Sequence, residues 1–495
     1  MKRSTMIVLG ILFLAQSTAV LGQQKKTEKI ELKYGSHRIG KRDDAIMERW
    51  RSYGLGQFIH WGLYAIPGGE WNGKQYNGAA EWIRSWNGIP KSTYDSLIYK
   101  FDPIKFDAKQ WAAEAKQMGA KYVIFTTKHH DGFCMWPSKY TNYTIKNSPF
   151  KKDVVKEVVD AYDSQGIDVY LYFSIIDWNH PGYQAGNAKP NPFTIESWKT
   201  YNPFSSKEKK DKYEEFKKFT RNQLVELLTN YPKAKGLWFD GTWDPAWMKQ
   251  DGFTDSLEKE LRALRPGLII GSRFRADENG SRHFDSNGDL MGDYEQGWER
   301  KLPNKIEDVH GNDWDCVMTV PENQWGYNKA WKGHIKTSNE LIEMTAKSVS
   351  LGGNFVLNFG PTGDGSIRPE EKKLASEIGN WMKTNGEAIY SSTYAGLEKQ
   401  DWGYFTKKKG ADKINMIIFN TPVSGAYRVK LPAGTAIAKS YQLASPSETL
   451  KVEEIHANEY FIHLNKAIGA TPFVIVLETT KKVRNGDNNY EKAKT

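Results

Sequence analysis

Cysteine is nearly absent from this chain, which holds only Cys134 and Cys316 among 495 residues. A disulfide framework is therefore excluded as the main source of stability, and the fold must rest on a buried apolar core. Whether the two thiols pair is left open. Long apolar runs are missing too: after residue 22 no segment offers the ~20 consecutive apolar residues of a membrane helix, so no insertion into a bilayer is expected of the mature chain. The basic excess, formally +10, is spread along the sequence with lysine clusters at 207–212 and 407–409. It lacks the interleaved aromatics of a nucleic-acid surface and reads as solvated surface.

What is present begins with a leader. Residues 1–22 combine Lys2 and Arg3, an apolar run over 6–14 and small residues near Ala19 and Gly22, the pattern of a secretory signal peptide. No cysteine stands near the cleavage point, which argues against a lipid anchor and for a secreted or periplasmic protein. Eighteen tryptophans and twenty-five tyrosines suit carbohydrate, whose C–H faces stack on aromatic rings, or simply an aromatic core.

After a polar linker (23–29), short apolar runs alternate with amphipathic stretches. The runs are GQFIHWG (56–62), KYVIFTT (121–127), DVYLYFS (168–174), GLWFDG (236–241), GLIIGSR (267–273), LMGDY (290–294), DCVMTV (315–320) and NFVLNFG (354–360). Helical periodicity lies between several of them, at 107–118, 152–165, 209–229, 254–264 and 338–350. Eight runs with intervening helices predict an α/β fold, a (β/α)8-type barrel, over residues 23–388. Polar residues gather where the runs end: His60, His129, His130, Asp177, Asp240, Arg273, Glu295, Glu299 and Asn358. In a barrel the carboxyl ends of the strands build the active site, so this set is expected to converge; each residue alone could equally cap a helix. From residue 389 to 480 closely spaced strands without helices predict an antiparallel β-sandwich, followed by a charged, disordered tail at 481–495.

Asp240 ends an apolar strand between Trp238 and Trp243, a setting in which an unpaired carboxylate costs several kcal/mol unless it has partners or a function. Its partner acid is expected from MGDYEQGWERKLP, which offers Asp293, Glu295 and Glu299. Trp298 beside Glu299 is expected to desolvate that carboxyl and raise its pKa towards that of a general acid. The pair His129–His130 lacks the spacing of zinc sites, and neighbours on an extended strand point opposite ways, which argues against a shared metal. One histidine with Asp131 and a distant ligand stays open. Cys134, in an apolar setting without an assigned base, reads as an inert thiol.

The segments FIHWGLYAIPGGEW, AEW, FTTKHHDGFCMW, YFSIIDWNHP, LWFDGTW and GGNFVLNFGPTGDG, in this order over about 49–381, closely resemble the α-L-fucosidases of glycoside hydrolase family 29. The resemblance implies a (β/α)8-like catalytic domain followed by a β-sandwich. It also implies retaining hydrolysis of terminal α-L-fucose from glycans, without metal or other cofactor. Asp240 is then the nucleophile. Sugar recognition falls to His60, Glu81, Trp82, His129, His130, Tyr172, Trp238 and Arg273, with Trp325 added by analogy to an aromatic residue near the sugar's methyl group. The acid/base lies in a variable region; Glu299 is the choice and Glu295 the reserve. An α-L-galactosidase of the same fold and an inactive fucose-binding protein are the alternatives. The linkage cleaved depends on loops such as 178–207, and the oligomeric state is not legible.

Overall fold

The computed structural model describes residues 42–76, 78–183, 203–275, 283–285, 287–464 and 472–481. The expected leader and, apart from Lys481, the expected tail lie outside the described residues, as does much of the 178–207 loop. No helix among the described residues is long and apolar enough to cross a membrane.

Eight strands form one parallel sheet. In chain order they are β1 (Leu55–Ile59), β2 (Tyr122–Lys128), β3 (Asp168–Ser174), β4 (Gly236–Asp240), β5 (Ile269–Ile270), β6 (Glu295–Glu299), β7 (Trp314–Thr319) and β8 (Asn354–Phe359). The hydrogen-bonded order is β5-β4-β3-β2-β1-β8-β7-β6, with β8 returning beside β1. At the seam, Asp293 N–H donates to Ile270 O (2.8 Å) and Ser272 N–H to Tyr294 O (3.0 Å), closing the barrel. Helices α1 (Ala45–Arg51), α2 (Ala108–Met118), α3 (Val154–Ser164), α4 (Lys207–Asn230), α5 (Asp251–Leu264), α6 (Ser338–Ser350) and α7 (Pro369–Asn385) accompany the strands. Their starts are written in side-chain caps. Asp44, Asp107, Asp153, Ser206 and Thr337 each accept first-turn N–H bonds, and Thr337 completes a capping box with Glu340.

Strand parity decides what faces inward. Phe58, Tyr122, Ile124, Tyr170, Tyr172, Trp238, Ile269, Val317 and Val356 form one cluster, the barrel interior, which Met47 and Trp50 of α1 join. The alternate residues Val123, Phe125, Val169, Leu171 and Phe173 belong instead to the layer shared with the helices. With a side-chain period of two, His60, Asp240 and Asn358 point the same way as Phe58, Trp238 and Val356.

Two strands differ from expectation. β5 is only two residues long, and β6 starts at Glu295, after the apolar run 290–294. The run is no strand because the Asp293 carboxylate itself accepts the Ile270 N–H (3.0 Å) and is pinned by Arg42 (3.0 Å) and Arg262 (2.9 Å). β6, with the sequence EQGWE, has too little apolar character to announce itself.

β6 also carries a bulge. Glu295 pairs with Trp314, but Trp298 pairs with Cys316 and Glu299 with Val317, so one extra residue is inserted after Glu295. Trp314 and Cys316 face the helices, whereas Val317 faces the barrel interior. In a regular strand two glutamates four residues apart share a face; the bulge turns Glu299 inward and leaves Glu295 on the outer side.

Beyond α7, β9 (Gly403–Lys408), β10 (Lys413–Ile418), β11 (Ala426–Lys430), β12 (Thr435–Gln442), β13 (Lys451–His456), β14 (Glu459–His463) and β15 (Phe473–Lys481) make antiparallel sheets. One sheet, with Ser392–Thr393 at its edge, runs through β9, β10, β15 and β12; the other is β11-β14-β13. Ile414, Met416, Ile418, Ile475 and Leu477 pack between the sheets, while Ile417, Val474 and Val476 pack on the barrel's core. Tyr404 Oη donates to Glu343 of α6 (3.0 Å) and Trp381 Nε1 to Pro472 O (2.8 Å), fixing the sandwich on the helical layer.

Candidate active site

A cavity of about 240 Å³ opens at the carboxyl end of the barrel, lined by Phe58, His60, Ala79, Glu81, Trp82, Trp86, His129, His130, Trp238, Asp240, Trp243, Glu299, Arg300 and Trp325. Nine of the residues expected from the sequence are on this wall. The other two, Tyr172 and Arg273, stand behind it and bond to Asp240.

Asp240 accepts from Tyr172 Oη at 2.9 Å on Oδ2 and from Arg273 Nη1 at 3.2 Å on Oδ1. Burial nevertheless pushes its carboxyl up to about 6, against the pull of Arg273. The same guanidinium donates through Nη2 to Glu299 Oε2 at 2.6 Å, so one cation bridges the two acids. Arg273 is itself held, its Nε donating to Gln296 O (2.9 Å) and its backbone N–H to Gln296 Oε1 (3.2 Å). Burial also raises Glu299, but Arg273 and Arg300 outweigh it and the carboxyl rests below its usual range. This corrects the expectation that Trp298 raises it. Trp298 belongs to the outer side, its ring 6.2 Å from that of Trp314. Glu295, pushed by burial to about 7, does not line the cavity. Asp177 and Asp293 are likewise drawn into structural contacts, Asp177 with Lys128 (2.9 Å).

The histidine pair behaves differently from two neighbours on a strand. β2 ends at Lys128, and Gly132 turns the chain at φ +82°, donating to His129 O (3.0 Å). A Cβ on Gly132 would lie 2.2 Å from Asp177 Oδ1, so the turn admits only glycine. The two rings therefore do not diverge: their centroids lie 4.3 Å apart on one cavity wall. Asp131 faces away, accepting from Phe133 N–H (3.0 Å) and Tyr94 Oη (3.0 Å). Cys134 and Cys316 are both free and buried, and burial raises both thiols.

Hydrogen-bond bookkeeping fixes tautomers. Asn358 Nδ2 donates to Trp325 O (2.8 Å), so its Oδ1 accepts from His60 Nδ1 (2.7 Å). Ser174 Oγ donates to Ile176 O (2.8 Å) and thus accepts from His130 Nδ1 (2.6 Å). Both imidazoles carry the proton on Nδ1 and keep Nε2 as an acceptor. Burial holds each near 3, hence neutral. Glu81, pushed by burial to about 7, gives Oε2 to Gly326 N–H (2.9 Å). Its Oε1, His129 Nδ1 and Trp238 Nε1 are buried without a hydrogen-bond partner in the protein. Three orphaned polar atoms on residues of one small cavity are what a polyhydroxylated ligand satisfies.

Ligand atoms of His129, His130 and Asp240 lie within 4.8 Å of one another, a spacing that suits a cation. The charge already present does not: the guanidinium of Arg273 lies 3.2 Å from Asp240 Oδ1 and would repel a second cation there.

Sequence reasoning missed Phe58, Ala79, Trp86, Trp243 and Arg300 as wall residues and Ser174 as an orienter; Asn358 was expected at the site, and its role there is to orient His60. The signals are local: Phe58 precedes His60 by two on one strand face, Trp86 follows Trp82 by four, and Arg300 adjoins Glu299.

Two acids converging on a sugar-sized cavity at this end of a parallel barrel are the equipment of a glycoside hydrolase, and that is the class the fold and site define. Comparison with known proteins narrows it. Residues 21–387 match the family model described as Alpha-L-fucosidase. The mouse tissue alpha-L-fucosidase is 30% identical over 404 residues, covering 78% of this chain and 80% of that protein. An alpha-L-fucosidase of family GH29 from Bacteroides thetaiotaomicron is 48% identical with a TM-score of 0.85, covering 92% of this chain and 99% of its own. A second structure from that organism, also 48% identical with a TM-score of 0.85 and covering 91% of this chain and 100% of its own, is a trapped covalent intermediate with 2-fluoro-fucosyl fluoride in a glutamate-to-glutamine variant. The chain belongs to the α-L-fucosidase family, glycoside hydrolase family 29.

Proposed function

We propose that this protein removes terminal α-L-fucose from fucosylated glycans by double displacement, with Asp240 as nucleophile and Glu299 as acid/base. The observation that carries the reading is the pairing of these two acids on one guanidinium at the cavity wall, with Glu295 turned to the other side of β6. The covalent intermediate captured in the Bacteroides thetaiotaomicron relative supports retention for this chain.

Asp240 attacks the anomeric carbon as Glu299 protonates the departing oxygen; Glu299 then takes a proton from the water that releases the sugar. Arg273, donating to Glu299 at 2.6 Å, favours the ionised form of that acid. When a sugar hydroxyl draws Arg273 away and water is excluded, burial is left to raise the carboxyl, and Glu299 can hold the proton it must donate. His60 and His130 accept hydroxyl protons through Nε2, while His129 Nδ1 and Trp238 Nε1 donate. Glu81, Trp82 and Trp325 complete the sugar wall. The His129, His130 and Asp240 cluster serves the sugar, not a metal.

We place the catalytic domain at 23–388 and its sandwich support at 389–480, since every cavity-lining residue precedes Phe359. We also infer export, on the leader pattern of residues 1–22; amino-terminal sequencing of secreted material tests it.

Azide distinguishes the acids. With a nitrophenyl α-L-fucoside, Asp240→Ala is expected to lose turnover by roughly ten-thousand-fold or more, and azide to return it as the inverted fucosyl azide. Glu299→Ala with azide gives the retained product. Rescue of Glu295→Ala but not Glu299→Ala overturns the acid/base assignment.

A further inference from the structure

The floor of the cavity is explained by a terminal sugar, but its rim is not. Among the described lining residues, the exposed ones, and so those at the rim, are Trp86 and Arg300, and Arg300 is the charged one. The leaving group must meet them, since it departs from Glu299, to which Arg300 is the chain neighbour.

Arg300 is built into place. Its backbone is left-handed at φ +57°, a conformation an L side chain takes at a cost of about 1 kcal/mol. Its N–H donates to Val317 O at 3.0 Å, which anchors that turn to β7. Nη1 donates to Asn323 Oδ1 at 3.2 Å, and Asn323 is also left-handed, at φ +56°. Two strained residues thus hold one guanidinium at the mouth, 43% exposed. Its nearest carboxylate is Glu299, at 3.5 Å. The same cavity is lined by Trp86, 51% exposed and stacked at 5.7 Å on Trp82 of its wall. Gly78 makes room for that ring, since a Cβ there would lie 2.4 Å from it.

We propose that Arg300 and Trp86 form the leaving-group subsite and that it favours a sugar bearing an anionic substituent, a sulfate ester or a carboxylate. The inference rests on the reading of Glu299 as acid/base. For donation Glu299 must be protonated, and Arg300 then loses the counter-charge 3.5 Å away while opposing that protonation. An anion on the leaving sugar supplies the counter-charge through a guanidinium fork, binding the sugar and favouring the protonated acid together. The exposed face of Trp86 stacks on the same sugar without regard to charge.

The test uses three matched disaccharides: α-L-fucosyl N-acetylglucosamine, its sulfate ester, and the corresponding fucosyl glucuronate. kcat/KM is measured for the full-length protein, Arg300→Met, Asn323→Ala and Trp86→Ala. The wild type is expected to prefer an anionic partner over the neutral one by on the order of tenfold, the preference shrinking with added salt; the larger of the two anionic rates tells sulfate from carboxylate. Arg300→Met brings the ratio to about one, and Asn323→Ala lowers it in part. Trp86→Ala raises KM for all three and leaves the ratio alone. A wild-type ratio of one or below overturns the proposal, as does a ratio that survives in Arg300→Met. Absence of fucose release from every substrate strikes instead at the hydrolase reading beneath it.

Discussion

Tyr172→Phe removes one hydroxyl and nothing else from the heart of the site. The ring is stacked at 5.6 Å on His129 and at 5.3 Å on Trp238, and both contacts survive in phenylalanine. What is lost is the 2.9 Å bond donated to Asp240 Oδ2. That bond favours the ionised carboxylate, so its loss raises the pKa. A hydrogen bond to a charged acceptor is worth about 1.5–3 kcal/mol and one pKa unit about 1.4 kcal/mol, which gives a rise of about one to two units. Asp240 begins near 6. At that pH half of the wild type carries the nucleophile in its reactive form, and in the variant only about a tenth to a hundredth does. The assay is the pH profile of kcat/KM on a dinitrophenyl α-L-fucoside, whose leaving group departs without a proton and so isolates the nucleophile's limb. The acidic limb is expected to move upward by one to two units, with a roughly 5- to 50-fold loss near the wild-type midpoint and most of the rate regained two units higher. A limb that stays in place, or moves down, refutes the assignment of that limb to Asp240.

Other outcomes follow from buried charge. Lys128 and Asp177 form an ion pair at 2.9 Å with side-chain exposures of 0% and 2%, and Asp177 also accepts the N–H groups of Asn179 and His180. Lys128→Met strands that carboxylate and is expected to cost about 3–5 kcal/mol, read by calorimetry as a lower Tm; the double variant with Asp177→Asn recovers part of it, and an unchanged Tm in the single variant contradicts the pairing. Asp315, whose Oδ2 accepts from Tyr122 Oη at 3.5 Å, is pushed by burial up to about 8. The folded chain therefore holds a proton that the unfolded chain has released, and the stability this contributes is full below the ordinary value of 3.8 and lost as pH rises to about 8. Asp315→Asn cannot release that proton, so its Tm relative to wild type should rise across this window; a constant gap counts against it.

Much of this was legible because barrel strands buried on both faces are written as apolar runs, and six of the eight runs overlap six-residue or similar strands closely. The histidine, aspartate and asparagine at the ends of β1, β4 and β8 could be placed by parity alone. Legibility failed where backbone bonding replaced side-chain pattern. β5 and β6 are too short or too polar to read, and Asp293 accepts a strand's N–H with its carboxylate. His129 and His130 share one wall beside a glycine turn whose positive φ, and whose closeness to Asp177 and Asn179, are not visible in the local sequence. The electrostatic error over Glu299 has a similar origin: an adjacent tryptophan is visible in the sequence, but a guanidinium from another strand is not.

The extra residue in β6 means that the count of residues, more than their identity, selects which glutamate faces the cavity. Loss of a single codon at Gln296 or Gly297 would preserve every acid in the gene and most of the barrel's wall, yet rotate Glu299 out of the chamber. This chain is thus open to loss of that acid from its cavity by an in-frame deletion that an inventory of its acidic residues would not reveal.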